Sequence, residues 1–299
     1  MTRPGRYIHD DGLGYVPRPD HVEPGLTIDP AGLRRTGPVA DTALSLPPIL
    51  AVGNSFTFGE QVADAETWPA KLQDRSGRRV LNGGVSGYGF DQIVLRAEKL
   101  AALHKPEFVV VGFIADDIER TEMRRLWWRN KPWFALAGGR LTLDGTPVPP
   151  SVRPRMLGLT RPLELVLRRL TPAAQHRLGY HVRVHPKGTG VVIAARLIER
   201  LADLQQASGA RVVLVAEYDG SAWNDRAAAS RQHRIAGDLL DRAARCGLHP
   251  LDSFSLFASA PRPERLYKAW HMNEHGNRMI ASLVASALTR RDDGASSSR

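Results

Sequence analysis

Cysteine is nearly absent: Cys246 is the only one in 299 residues. No intrachain disulfide can form, and a zinc site built on several thiolates is excluded. No run approaches the ~18 apolar residues of a membrane-spanning helix. The first 30 residues are rich in Gly, Pro and Asp and hold nothing like the apolar core of a secretory signal. A cytoplasmic location is therefore the expectation. Acidic residues are in deficit, 31 against 41 Lys and Arg, for a formal charge of +10. Such a charge favours anionic partners in general but says little about fold. No nucleic-acid-binding module accompanies it, so no specific nucleic-acid partner is expected. Outside the His271 segment, none of the histidines has convincing metal-ligand spacing, and no metal site is expected.

What the chain does contain is alternation. Ile49–Val52 reads as a buried strand, and Ala65–Asp74 as a helix capped by Asp64. Arg79–Leu81 reads as a second strand, Asp91–His104 as a helix and Glu107–Phe113 as a central strand. Gly190–Ala207, Arg211–Ala216, Asp225–Cys246, Leu248–Leu251 and Glu274–Thr289 continue the pattern as helix, strand, helix, strand and helix. Continuous apolar strands between amphipathic helices predict an α/β fold with a parallel sheet covered on both faces. Five strands suit a flavodoxin-like order. Residues 1–46 read as an extended arm packed on the domain, 47–289 as the domain, 122–187 as an insertion or lid, and 290–299 as a disordered tail.

Four strand-following loops carry chemistry. Gly53-Asn54-Ser55 follows the first strand, so the serine stands on a tight turn at the carboxyl edge, where open α/β sheets bind ligands. The second loop, Asn82 to Gly89, is rich in glycine and offers the Gly87 N–H. The third carries Asp116-Asp117, and the last carries His271-Met272-Asn273 just before the final helix. A serine, a histidine and backbone donors are the minimum for acyl transfer: nucleophile, base and oxyanion stabilisation.

These four blocks, in this order, resemble the SGNH/GDSL hydrolases from about Ile49 to Ala287. The resemblance implies a three-layer α/β/α sandwich and an esterase, lipase or acyltransferase that needs no cofactor. It also implies Ser55 as nucleophile, His271 as general base, and the N–H groups of Ser55 and Gly87 as oxyanion donors. Three positions depart from the family's pattern. Asn54 stands in place of the usual Asp. Asp116 stands in place of the Asn that donates to the oxyanion, and an ionised carboxylate cannot donate. Lys268 and Ala269 occupy positions where an acid would orient the histidine. Asp252 and Asp116 are the substitutes the sequence offers; the alternative is a bare Ser–His dyad.

Within the insertion, Arg124 to Phe134 interleaves basic and aromatic residues. Trp127 and Trp128 are candidate substrate contacts, with nucleic-acid stacking, a membrane interface or a small aromatic core as other readings. Gly138 to Gly145 reads as a hairpin. Residues 151–185 hold seven Arg against one acid, and Leu163, Val166, Leu167 and Leu170 lie at helical spacing. Arg168 and Arg169 of that helix would suit an anionic substrate. The expected function is hydrolysis or transfer of an ester-linked acyl group on a carbohydrate or small molecule through Ser55. A catalytically weak protein that binds a ligand or partner in the same cleft is the alternative.

Overall fold

The computed structural model describes residues 5–151, 171, 174 and 178–289. The expected helix over residues 163–170, with Arg168 and Arg169, and the tail 290–299 lie outside the described residues. Five parallel strands form the central sheet: β1 (Ile49–Val52), β2 (Val80–Asn82), β3 (Phe108–Phe113), β4 (Arg211–Ala216) and β5 (His249–Asp252). Their spatial order is β2-β1-β3-β4-β5, the flavodoxin-like order.

Alternate residues of each strand point to opposite faces, and both faces are covered. Leu50, Val52, Val109, Val111, Val212 and Leu214 pack beneath helices α2 (Phe90–His104), α3 (Thr189–Ser208) and α4 (Arg226–Arg245). Ile49, Ala51, Val110, Val213 and Val215 pack beneath α1 (Trp68–Ser76) and α5 (Glu274–Thr289). The fold is a three-layer α/β/α sandwich. Among the described residues no helix is long and apolar enough to cross a membrane.

The first helix starts later than its composition suggests. Asp64–Glu66 is a short 3₁₀ turn, and α1 begins at Trp68, where Thr67 accepts a hydrogen bond from the Ala70 N–H and Pro69 sits in the first turn. A proline is tolerated there because its missing N–H has no intrahelical partner to lose. The first part of the expected insertion, residues 123–144, forms two small hairpins. Trp133–Ala137 pairs with Arg140–Asp144 around Gly138-Gly139, so the glycine pair is the turn of that hairpin rather than the start of one. Met123–Leu126 pairs with Arg129–Asn130, and Trp127 and Trp128 form its two-residue turn, both with positive φ.

The amino-terminal segment is woven into the domain. Leu13, Tyr15 and Leu33 belong to the main core. Arg34 pairs as an isolated bridge with Asn82 at the end of β2. Its guanidinium is buried and donates to the carbonyls of Phe58 (2.8 Å), Gly59 (2.5 Å), Val62 (2.7 Å) and Gly25 (3.2 Å), and to Asp64 (2.8 Å). It therefore ties the exit of the serine turn to the arm. Truncating one member of such a network strands several buried acceptors. Arg34→Ala is expected to lose about 3–5 kcal/mol of unfolding free energy in chemical denaturation, and a loss under about 1 kcal/mol would show that the network is not what holds this corner.

Candidate functional site

Parallel strands bring their carboxyl ends to one edge, and the loops identified in the sequence meet there. After β1 the chain enters a single helical turn, Ser55–Phe58. Asn54 caps it: its Oδ1 accepts from the Phe56 N–H at 2.7 Å. Its Nδ2 donates to Asp117 Oδ2. An aspartate at position 54 could accept the first of these bonds but not make the second without a proton. Asn54 thus supplies a donor to a carboxylate that also accepts from the Ile114 N–H at 3.0 Å and from Arg120 at 2.6 Å. Burial nevertheless pushes the Asp117 carboxyl up to about 7, against the pull of Arg120, Ile114 and Asn54.

The histidine reaches the serine from a hairpin in which Lys268 pairs with His271 and Tyr267 with Met272. Ser55 Oγ lies 2.8 Å from His271 Nε2. The Phe56 ring packs against the imidazole, centroid to centroid 5.1 Å. The residues after His271 are structural. Asn273 Oδ1 accepts from the N–H groups of His275 and Gly276 at the start of α5. Asn277 accepts from the Trp68 N–H at 2.9 Å and donates to the Met272 carbonyl at 3.1 Å, so α5, α1 and the histidine hairpin form one unit.

On the other side of Ser55 lies the glycine loop. Gly87 adopts φ +82°, and a Cβ there would stand 2.8 Å from the Trp127 ring and 3.1 Å from the Tyr15 hydroxyl. Glycine is required on both counts, conformation and space. Tyr15 donates to the Ser86 carbonyl at 3.0 Å, and Ser86 donates to Glu60 at 2.5 Å. Trp127 sits over this loop with the Arg120 guanidinium 5.4 Å from its ring, a cation–π distance. Arg120 also donates to the Tyr88 carbonyl at 3.0 Å.

The two acids offered as partners of His271 are engaged elsewhere. Asp116 is bonded to Arg231 of α4 at 3.1 Å, with 44% of its side chain exposed. Asp252 accepts from the Tyr218 hydroxyl at 2.9 Å and the Phe254 N–H at 2.8 Å, and its other oxygen faces His233 at 3.4 Å. His271 Nδ1 is buried without a hydrogen-bond partner. Each carboxylate follows the helix beside it: Asp116 opens the Ala115–Arg120 helix facing α4, and Asp252 turns back onto its own strand end.

The groups that do act on His271 were not singled out in the sequence. Burial pushes its imidazole below the ordinary 6.5; Glu60 opposes this, Arg120 adds to it and Asp219 opposes it. The shift favours the neutral imidazole. Arg120 had a legible signal, one helical turn beyond Asp116-Asp117. Asp219 had none, because its proximity comes only from the packing of loops; Glu60 directly follows the serine turn, its N–H bonded to the Ser55 carbonyl at 3.0 Å. Trp270 was also missed. It stands beside His271 in the turn of the hairpin and is 66% exposed.

The sequence matches the profile of the GDSL-like Lipase/Acylhydrolase family over residues 51–279, and the chain belongs to that family. A search of curated proteins gives no match. Among solved structures, TesA is 17% identical, with 81% of this chain and 98% of that one covered and a TM-score of 0.46. A G-D-S-L family lipolytic protein from Veillonella parvula is 13% identical, covering 81% and 98%, TM-score 0.49. A lipase/acylhydrolase from Enterococcus faecalis is 14% identical, covering 82% and 96%, TM-score 0.47.

The electrostatics make a signed prediction. The Arg120 cation disfavours imidazolium and the Asp219 carboxylate favours it. Arg120→Met should raise the His271 pKa and Asp219→Asn should lower it, as followed by NMR titration of the imidazole. Shifts of the same sign in both variants would refute this arrangement.

Proposed function

We propose that this member of the family is a serine esterase or acyltransferase that works through an acyl-enzyme on Ser55. The observation that carries the proposal is the 2.8 Å contact between Ser55 Oγ and His271 Nε2, made by a half-buried imidazole whose surroundings favour the neutral form. Neutral Nε2 accepts the serine proton as Oγ attacks an ester carbonyl. The resulting imidazolium then gives that proton to the leaving alkoxide. Water, or an acceptor hydroxyl, repeats the sequence in reverse and frees the serine.

The oxyanion formed on attack needs donors. The N–H groups of Ser55, at the head of a helical turn, and of Gly87 are assigned that role. Asp116 is not, since its carboxylate is committed to Arg231. Arg120 adds a fixed positive charge next to the Gly87 loop, through the Tyr88 carbonyl and Trp127. Its field favours an oxyanion there and suits an ester bearing an anionic group. Trp127 at the Gly87 end and Trp270 at the His271 end offer aromatic surface for a ring-bearing substrate such as an O-acylated sugar. Trp128 forms the same turn as Trp127 and packs edge-on against Tyr180.

A binding protein without turnover is the second reading. The partnerless Nδ1 of His271 favours it, because an unoriented histidine can take the unproductive tautomer, a defect that in a serine protease costs ~10⁴ in rate. A fluorophosphonate probe separates the two. It should form an adduct on Ser55, located by mass spectrometry, and none in Ser55→Ala. In His271→Ala the labelling rate should fall about 10²–10⁴-fold. Intact wild-type protein left unlabelled between about pH 6 and 9, a range spanning histidine titration, would rule out the enzyme reading.

The pH dependence follows from the lowered His271 pKa. Since the base must be neutral, labelling should be lost on acidification, with a midpoint below 6.5. A midpoint above that value would contradict the assignment of His271 as the base.

A further inference from the structure

A second acidic group lies under the serine turn, and neither the family's four blocks nor the mechanism above uses it. Glu217 follows β4 directly, with its N–H bonded to the Phe113 carbonyl at 2.8 Å. The residue is 1% exposed. Both of its carboxyl oxygens are buried without a hydrogen-bond partner, and so are Thr57 Oγ1 and Trp68 Nε1. Among the described residues it makes no ion pair.

These orphaned atoms gather at one point. A Cβ on Gly112 of β3 would lie 2.6 Å from Thr57 Oγ1 and 2.9 Å from Glu217 Oε2. The hydroxyl and the carboxyl thus converge over the bare Cα of Gly112. Thr57 belongs to the helical turn that begins at Ser55. Trp68 opens α1, which Asn277 ties to the histidine hairpin.

We propose that Glu217 is a positioning residue for Ser55: a carboxylic acid whose O–H donates to Thr57 Oγ1 while its carbonyl oxygen accepts from Trp68 Nε1, bracing the serine turn from below. This rests on the reading of Ser55 as a nucleophile. A neutral carboxyl offers one donor and one acceptor, which matches a hydroxyl and an indole N–H. A carboxylate could only accept, and a buried charge with no cation is costly.

The surroundings keep the acid protonated. Burial pushes its carboxyl well above the ordinary range, Asp117 acts in the same direction and the Trp68 indole N–H opposes. Among the other titratable groups on the packed elements, Arg120 is paired with Asp117, Asp116 with Arg231, Tyr267 donates to the Tyr218 carbonyl, Asp219 accepts from the Ser221 N–H and His271 faces Ser55. Because the folded-state pKa is raised, the brace is complete at low pH and fails as pH rises through that pKa. Ionisation would remove the donor and put negative charge beneath a site that must itself accommodate an oxyanion.

The test compares wild type, Glu217→Gln and Glu217→Ala by fluorophosphonate labelling across pH, with an infrared difference spectrum against Glu217→Gln. Glutamine keeps one donor and one acceptor and cannot ionise. It should label within about threefold of wild type at pH 7 and lose the alkaline fall that wild type shows. Alanine should label about tenfold more slowly at every pH. The wild-type spectrum at pH 7 should contain a protonated-carboxyl stretch that the glutamine variant lacks. An alkaline limb shared by wild type and Glu217→Gln, or a glutamine variant as impaired as alanine, would overturn the proposal. If wild-type Ser55 does not label at all, the nucleophile reading fails on its own. The infrared band then decides the state of Glu217, and its absence at pH 7 overturns the proposal.

Discussion

A helix of four residues cannot hold a nucleophile by itself. Nucleating one turn fixes several residues for a single hydrogen bond, and so short a helix has no intrinsic stability. Ser55–Phe58 stands only because groups outside it hold it at both ends. At its start, Asn54 caps the Phe56 N–H and anchors itself to Asp117. At its exit, the Arg34 guanidinium gathers the carbonyls of Phe58 and Gly59. Arg34 lies about twenty residues upstream in the arm, and Asp117 follows the third strand of the sheet. The position of one serine oxygen therefore depends on the arm, the sheet and the loop after β3 being correctly assembled.

The same economy governs the charges at this edge. Burial is the largest influence on His271, on Asp117 and on Glu217 alike. It acts against the charged form in each case, lowering the histidine and raising the acids. The site thus tends toward neutral groups, with Arg120 as a cation at its border. A neutral imidazole is what a general base requires. In the mechanism proposed for Ser55, new charge would arise on an oxyanion and an imidazolium at once, close to the fixed dipoles of the turn and the glycine loop.

Much of this was legible in the sequence, because strand-forming apolar runs and helical periodicity are local signals. Ile49–Val52, Arg211–Ala216 and Glu274–Thr289 have the bounds their composition predicts, and the five-stranded order followed from their alternation. Loop motifs read equally well, since Ser55 and His271 sit directly beside such elements. Side-chain direction was less accessible. Asp116 and Asp252 are at the expected edge, yet Arg231 and Tyr218 claim them. Arg34, Asp219 and Glu217 stand in no motif, and only the folded chain brings them to the serine. The Trp127-Trp128 turn was hidden for another reason: bulky residues rarely adopt positive φ, so its sequence reads as anything but a turn.

The missing acid beside His271 is better understood as a different way of fixing a ring. An Asp three residues upstream would orient the imidazole through Nδ1. Here Lys268 occupies that place and instead pairs backbone to backbone with His271. The strand pairing sets the Cα, the Phe56 ring packs against the imidazole, and the Ser55 contact sets Nε2. Those three constraints hold the ring in place without a carboxylate, though none of them selects its tautomer. They leave the imidazolium less stabilised than an adjacent acid would, since only the more distant Glu60 and Asp219 offset Arg120. In the role proposed for it, a base built this way gives up strength to stay neutral at lower pH, which suits an activated ester better than a poor leaving group.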